Sequence, residues 1–123
     1  MIYQFTIPGH PRVFQSFRFT KSGDKYPPSG KLEWQEYIRL CARPCAPQEP
    51  INDFVSVEIS AWIQRPKKTH FRFPPRIDLD NFSKALLDAL QGVIYTNDKF
   101  VARELLSKQW ADEPLTIVRI EEL

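Results

Sequence analysis

Cysteine and histidine are scarce in this sequence, with two of each among 123 residues. A zinc site would need further ligands at suitable spacing around Cys41 and Cys45, and His10 and His70 stand far from that pair in the sequence. We therefore interpret the two cysteines as reduced structural thiols.

Long hydrophobic runs are also missing, because no segment approaches the length of a membrane span. The first ten residues, MIYQFTIPGH, have no basic segment followed by an apolar run, as a secretory signal would. Low-complexity tracts and internal repeats are absent, while 42% of the residues are hydrophobic. We expect a cytoplasmic, unprocessed protein with no membrane partner, folded as one globular domain.

Alternation of apolar and polar residues predicts the strands. The clearest is residues 54–64, in which the apolar positions on one face are Val55, Val57, Ile59, Ala61 and Ile63. Residues 2–7 alternate in the same way, with one face formed by Tyr3, Phe5 and Ile7. Two further extended segments are expected near residues 100–110 and 115–121, and residues 12–20 form either another strand or an extended arm.

Helical periodicity occurs in two segments. Residues 31–43 begin near Ser29 or Gly30 and carry a predicted buried face of Trp34, Tyr37, Ile38 and Cys41. Residues 81–91 end before Gly92 and carry an apolar stripe of Phe82, Ala85, Leu86, Ala89 and Leu90. The order of elements predicts an α+β fold, a single domain with a mixed, mostly antiparallel sheet and two main helices packed on it.

Two carboxylates, Asp78 and Asp80, stand immediately before the second helix, in PRIDLDNF. Asp80 alone would be explained as the helix N-cap. That does not explain Asp78, which would project from the same side as Asp80 if the segment leading into the helix were extended. If the segment near residue 100 pairs beside this lead-in, Asp98 reaches the same end of the sheet, and three carboxylates converge.

Such a group of carboxylates calls for a cation or a raised pKa. Two of these charges about 4 Å apart repel by roughly 4 kcal/mol at an intermediate dielectric. Oxygen ligands suit magnesium or manganese rather than zinc. Lys84 either forms an exposed pair with Asp80, four residues before it, or holds a phosphate whose charge increases during the reaction. Asn81 and Asp88 lie on the same helix face, and we interpret Asp88 as a structural acid or one that supports the ligands.

Positive charge is concentrated just before the carboxylates, although the formal net charge of the chain is only +2. Residues 65–76 contain no acid and five basic side chains, namely Arg65, Lys67, Lys68, Arg72 and Arg76. Charge runs are usually only solvated, but this one alternates with Phe71 and Phe73 and leads into a candidate phosphodiester site. We therefore expect it to contact the DNA backbone.

One continuous segment, RIDLDNFSKALLDALQGVIYTNDKFV, resembles the core motif of the RusA family of Holliday-junction resolvases. The family pattern is Asp-x-Asp-Asn, a Lys three residues after the Asn, Asp-Ala-Leu on the same helix and a paired Asp-Asp before the next strand. The matching positions here are Asp78, Asp80, Asn81, Lys84, Asp88, Asn97 and Asp98. Two positions depart from the pattern, since Asn97 replaces the first acid of the pair and Phe100 replaces a common Gln.

The resemblance implies that residues 1–123 form a single RusA-like endonuclease domain that acts as a homodimer on four-way junction DNA. It implies metal ligation by Asp78, Asp80 and Asp98, catalysis by Lys84, and Mg²⁺ or Mn²⁺ as cofactor with no small-molecule cofactor. Paired nicks on opposite strands would leave 5′-phosphates and 3′-hydroxyls, in DNA recombination and repair and often in a phage or prophage. Asn81, Asp88 and Asn97 would support the ligands.

Two other interpretations stay open at this point. The first is a junction-binding protein that does not cut, with a degraded metal site. Asn97 leaves this interpretation open, while four intact positions argue against it, namely Asp78, Asp80, Lys84 and Asp98. The second takes Asp-x-Asp as the mark of a phosphatase or a sugar-nucleotide transferase. A phosphatase motif should follow a buried apolar strand, whereas RFPPR precedes it here, and such transferases need a much larger domain.

Overall fold

The computed structural model describes residues 1–14, 18–19, 21–26 and 29–123. Part of the strand or arm expected over residues 12–20 lies outside these residues. Two short strands, β2 (Arg18–Phe19) and β3 (Lys25–Tyr26), form an antiparallel pair. In the described part of the chain, no helix has the length and apolar character needed to cross a membrane.

A mixed four-stranded sheet forms the centre of the fold. Its strands are β1 (Ile2–Pro8), β4 (Val55–Gln64), β5 (Val101–Ala111) and β6 (Leu115–Glu122), in the order β1-β6-β4-β5. Strand β6 is antiparallel to both β1 and β4, while β5 is parallel to β4. The predicted α+β class and the mixed, mostly antiparallel sheet are therefore confirmed. Strands β5 and β6 follow each other in the sequence but are not neighbours in the sheet, because β4 lies between them.

The alternating residues of the sheet pack against two helices, α1 (Lys31–Ala42) and α2 (Leu79–Ala89). Ile120 of β6 is aligned with Tyr3 of β1 on one side and with Val57 of β4 on the other, and all three side chains are buried. The predicted apolar stripe of α2 is buried along its whole length, from Phe82 to Leu90.

The buried face of α1 differs in part from the prediction. Trp34 and Ile38 are buried as expected, but Tyr37 is exposed, and its hydroxyl donates to the Pro8 carbonyl at the edge of the sheet. Gln35 takes a buried place instead, because its side-chain amide donates a 3.1 Å hydrogen bond to the Ala85 carbonyl of α2. A polar contact between the helices thus rotates the buried face away from the purely apolar stripe.

Helix α2 is the crossover that the parallel pair β4 and β5 requires. It starts beside the carboxyl ends of these strands, where the Lys108 ammonium of β5 donates a 2.8 Å hydrogen bond to the Ile77 carbonyl. It ends near the beginning of β5. Residues at the two ends of α2 are therefore separated by the length of the helix.

The two cysteines lie at the end of α1 and just after it, as free thiols partly buried against the core. The Cys45 thiol donates to the Ala42 carbonyl. Burial raises the pKa of both thiols, which disfavours the reactive thiolate.

Candidate active site

Asp78 is the residue that caps α2. Its Oδ1 accepts hydrogen bonds from the backbone N–H groups of Asp80 at 3.0 Å and Asn81 at 3.4 Å. The Asn81 side-chain amide donates to the other carboxylate oxygen at 3.4 Å. The first turn of the helix thus holds the Asp78 carboxylate in place from two sides.

The prediction that Asp80 is the N-cap is therefore wrong, and so is the idea that both acids project from one side of an extended strand. Helix α2 begins at Leu79, two residues earlier than expected, so Asp80 is already in its first turn. Both Asp78 and Asp80 are exposed. Their charges lie at the positive end of the helix dipole, which favours carboxylates there.

Asp98 lies at the other end of α2. It opens a short 3₁₀ turn, Asp98–Phe100, directly before β5. Its backbone N–H donates a 3.1 Å hydrogen bond to the Gln91 side chain, and Asn97 caps the turn by accepting from the Lys99 N–H at 2.9 Å. Asn97, the residue that departs from the family pattern, thus stabilises the turn through its side-chain amide oxygen.

The expected pairing of the segment after Asp98 with the lead-in to α2 is wrong. The lead-in contains no strand, and β5 pairs with β4 instead. Among the residues that the structure describes, no three His, Cys, Asp or Glu side chains lie close enough together to hold a metal ion. The three predicted ligands of one chain therefore do not converge.

The structure pairs Asp98 with Asp88 instead. Burial first, and then a hydrogen bond to Asp98 together with its negative charge, raise the pKa of Asp88. The positive charges of Lys31 and Lys84 act in the opposite direction on the pKa of Asp88. Ten residues of helix at a 1.5 Å rise place Asp88 about 15 Å from Asp78 along the axis of α2. The candidate site thus consists of two acidic groups, Asp78 with Asp80 and Asp88 with Asp98.

Lys84 lies on α2 between these two groups. Its side chain is exposed, and among the described residues it forms no ion pair within 4.0 Å, with Asp80 or with any other acid. The simple explanation of Lys84 as the partner of Asp80 therefore has no support in the structure. Its ammonium group is available to a negatively charged ligand.

Tyr95 is a positioning residue that the sequence analysis missed. It is fully buried in the connection between α2 and Asp98, and its hydroxyl donates a 2.6 Å hydrogen bond to the Leu87 carbonyl. Burial, and then the charges of Asp98 and Asp88, raise the pKa of Tyr95 above its usual range. The apolar character of GVIYTN was the available signal that this connection is packed rather than loose.

The basic segment forms a loop, residues 65–77, over the carboxyl ends of β4 and β5. All five of its predicted DNA-binding side chains are exposed, namely Arg65, Lys67, Lys68, Arg72 and Arg76. Three hydrogen bonds fix the loop to β5: the Lys108 bond to Ile77, a 2.9 Å bond from the Trp110 indole N–H to the Phe71 carbonyl, and a 2.9 Å bond from the Arg65 N–H to the Ala111 carbonyl. The loop leads directly to Asp78.

Comparison with known proteins covers nearly the whole chain. Residues 8–121 match the family model described as endodeoxyribonuclease RusA. "Uncharacterized protein YqaN" of Bacillus subtilis (strain 168) is 28% identical over 137 residues, which include 98% of this chain and 96% of that protein. The family match includes both ends of α2 and the basic loop, and it confirms the resemblance found in the sequence: the chain belongs to the RusA family of endodeoxyribonucleases.

Proposed function

We propose that this protein is a Holliday-junction resolvase that cuts four-way DNA by paired nicks, as a single endonuclease domain over residues 1–123 working as a homodimer. The observation that carries the proposal is the family match over residues 8–121, in a chain that keeps Asp78, Asp80, Lys84 and Asp98 at the motif positions. The protein would act in DNA recombination and repair in the cytoplasm.

Mg²⁺ or Mn²⁺ is the cofactor that the donor set fits. The candidate ligands Asp78, Asp80 and Asp98 offer only carboxylate oxygens, all on exposed residues. A bound ion would supply the water nucleophile and neutralise charge on the phosphate. Asn81 supports this role, because its hydrogen bond to Oδ2 helps to orient the Asp78 carboxylate.

The separation of the two acidic groups within one chain explains why the proposed metal site would need a homodimer. Within one chain, Asp78 and Asp80 lie about 15 and 12 Å along the helix axis from Asp88, the residue beside which Asp98 lies. We propose that each site combines Asp78 and Asp80 of one protomer with Asp98 of the partner subunit. The two-fold symmetry of a dimer then generates two identical sites, which matches two cuts on opposite strands of a junction.

Lys84 would stabilise the transition state of each cut. Its exposed ammonium, half-way along α2, can approach a phosphate bound at either end of the helix. The five cations of the basic loop would hold the DNA backbone beside Asp78, with affinity that falls as salt rises. Phosphate contacts of this kind position the strand without selecting its sequence.

A second candidate is a junction-binding protein that does not cut. The absence of a three-acid metal group among the described residues of one chain, together with Asn97 in place of the usual acid, favours it. This candidate predicts binding that does not need metal and no product under any condition.

Cleavage of a synthetic four-way junction tests the proposal. The reaction is followed in Mg²⁺, in Mn²⁺ and in chelator, with a linear duplex of the same arms and with the variants Asp80→Asn and Asp112→Asn. Asp112 is an exposed acid in the turn between β5 and β6 and serves as the matched control. Metal-dependent paired nicks in the junction alone, lost in Asp80→Asn and kept in Asp112→Asn, would establish the resolvase. Junction binding without cleavage in either metal would support the second candidate.

A further inference from the structure

A pocket of about 430 Å³ lies between the basic loop and the carboxyl ends of β4 and β5. Its walls include two aromatic rings and two consecutive prolines, contributed by Phe71, Trp110, Pro74 and Pro75. Polar residues also line it, namely Gln64, Thr69 and Arg76. The site described above makes no use of this pocket.

The pocket is preformed. The three hydrogen bonds that fix the loop to β5 all lie around it, and one of them joins two of its lining residues, from the Trp110 indole N–H to the Phe71 carbonyl. Trp110 and Lys108 are two residues apart on β5, so they share a face of the strand. Lys108 holds Ile77, the residue before Asp78, through its carbonyl. The pocket is thus tied to the candidate catalytic end of α2 through one short segment.

We propose that this pocket binds a single nucleobase, unstacked from the DNA strand whose backbone follows the basic loop, and that it determines sequence preference. This inference rests on the proposed function. Flat apolar walls with a few polar groups are what a base requires, since its faces stack and its edge forms hydrogen bonds. Arg76, which lines the pocket, is of a residue type that discriminates base edges.

The charges around the pocket favour a nucleic acid as the source of the ligand. Arg65, Lys67 and Lys68 line a second, shallow depression on the same loop, and Arg72 lies over the ring of Phe73, 5.6 Å from its centroid. Phosphates held by these cations place the attached base at the mouth of the pocket. Base pairs at a branch point are easier to open than pairs within a duplex, which lowers the cost of unstacking.

Photocrosslinking tests base insertion without any cleavage. Four-way junctions carrying 5-iodouracil at one position at a time, within a few nucleotides of the branch, are irradiated with the wild-type protein in chelator. We expect crosslinks at one or two neighbouring positions, on peptides that contain Phe71 or Trp110. Crosslinks spread evenly over the positions, or confined to other peptides, would show that the loop contacts only the backbone and would overturn the proposal.

Cleavage preference provides the second arm. Arg76→Ala is compared with the matched control Arg72→Ala, because both remove one exposed cation of the basic loop but only Arg76 lines the pocket. On junctions that differ in the bases at the branch, Arg76→Ala should reduce the ratio between the best and the poorest substrate by about tenfold, and Arg72→Ala should leave this ratio unchanged. If the two variants change this ratio equally, the proposed base-binding role of the pocket is overturned, while the proposed resolvase activity is unaffected. Crosslinks at the pocket with no cleavage by the wild-type protein would support the base-binding pocket and overturn the proposed resolvase activity.

Discussion

Asp88 and Asp98 lie against each other at the end of α2, and burial, followed by the hydrogen bond to Asp98 and the charge of Asp98, raises the pKa of Asp88. Two acids from different parts of the chain thus share one small space. The buried Tyr95 fixes the connection between them through its hydrogen bond to Leu87. An acidic pair held in this way influences both the stability and the candidate chemistry of the protein.

The first prediction concerns pH. A carboxyl group with a raised pKa stabilises the fold while it is protonated, and this contribution is lost as pH rises through the raised pKa. In chelator, wild-type stability should therefore fall as pH rises above the ordinary carboxyl range, and Asp88→Asn should flatten the curve and be the more stable protein near neutral pH. Thermal unfolding from pH 4 to pH 8 measures this, with the exposed Asp112→Asn as control. Parallel curves for wild type and Asp88→Asn would contradict the structural account.

The second prediction separates the two roles of Asp78. Asp78→Ala removes the helix cap and should lower the free energy of unfolding by about 1 kcal/mol, or a few degrees in Tm. Asp78→Asn keeps a capping oxygen and should stay much closer to wild type. Both variants lose the carboxylate, so both should lose junction cleavage. Equal stability losses in the two variants would argue against the cap, and cleavage by Asp78→Asn would remove Asp78 from the ligands.

The third prediction concerns Lys84. Its side chain is exposed and alanine is the best helix former, so Lys84→Ala should unfold at nearly the wild-type temperature. The cleavage rate should fall by about 100-fold if the ammonium stabilises the transition state. The helix-surface variant Glu36→Ala, on α1, is a control for general surface effects. A rate for Lys84→Ala close to that of wild type would exclude the proposed role.

The fourth prediction tests the shared site by mixing subunits. Asp80→Asn and Asp98→Asn should each be inactive alone. After they are unfolded and refolded together in equal amounts, half of the dimers contain one subunit of each kind, and each of these has one intact site. About a quarter of the wild-type nicking activity should return, as single nicks rather than paired ones.

The control for this mixture is the double variant Asp80→Asn/Asp98→Asn. Mixed with either single variant, it leaves no intact site and should restore nothing. If the two single variants stay inactive when mixed, the ligands of a site must come from one chain. The α2 geometry would then have to change on DNA binding.

Local patterns predicted most of the elements. Alternation in β1 and β4 and the apolar stripe of α2 identified their buried faces, because those faces depend on periods of two and 3.6 residues. Gln35 was missed because its burial depends on a carbonyl of Ala85, fifty positions away. The N-cap was assigned two residues too late, since Asp78 and Asp80 are the same residue type and propensity cannot choose between them.

The arrangement of the site was harder to predict than its residues. The sequence placed Asp78, Asp80, Lys84 and Asp98 near one helix, but whether they meet depends on which strand β5 joins. β5 pairs with β4, so Asp98 lies at the opposite end of α2 from Asp78. Strand pairing is decided by long-range contacts, which no short window of sequence contains.

The place of β6 in the sheet has a consequence for synthesis of the protein. Among the strands of the described residues, β1 pairs with β6 alone, and β6 comes from residues 115–122, more than a hundred positions later. A nascent chain on the ribosome therefore holds β1 without a partner and β4 with a bare edge until residues 115–122 have emerged. Folding of the sheet must therefore wait for residues 115–122 and is dominated by distant contacts, which makes it slow for a protein of this size.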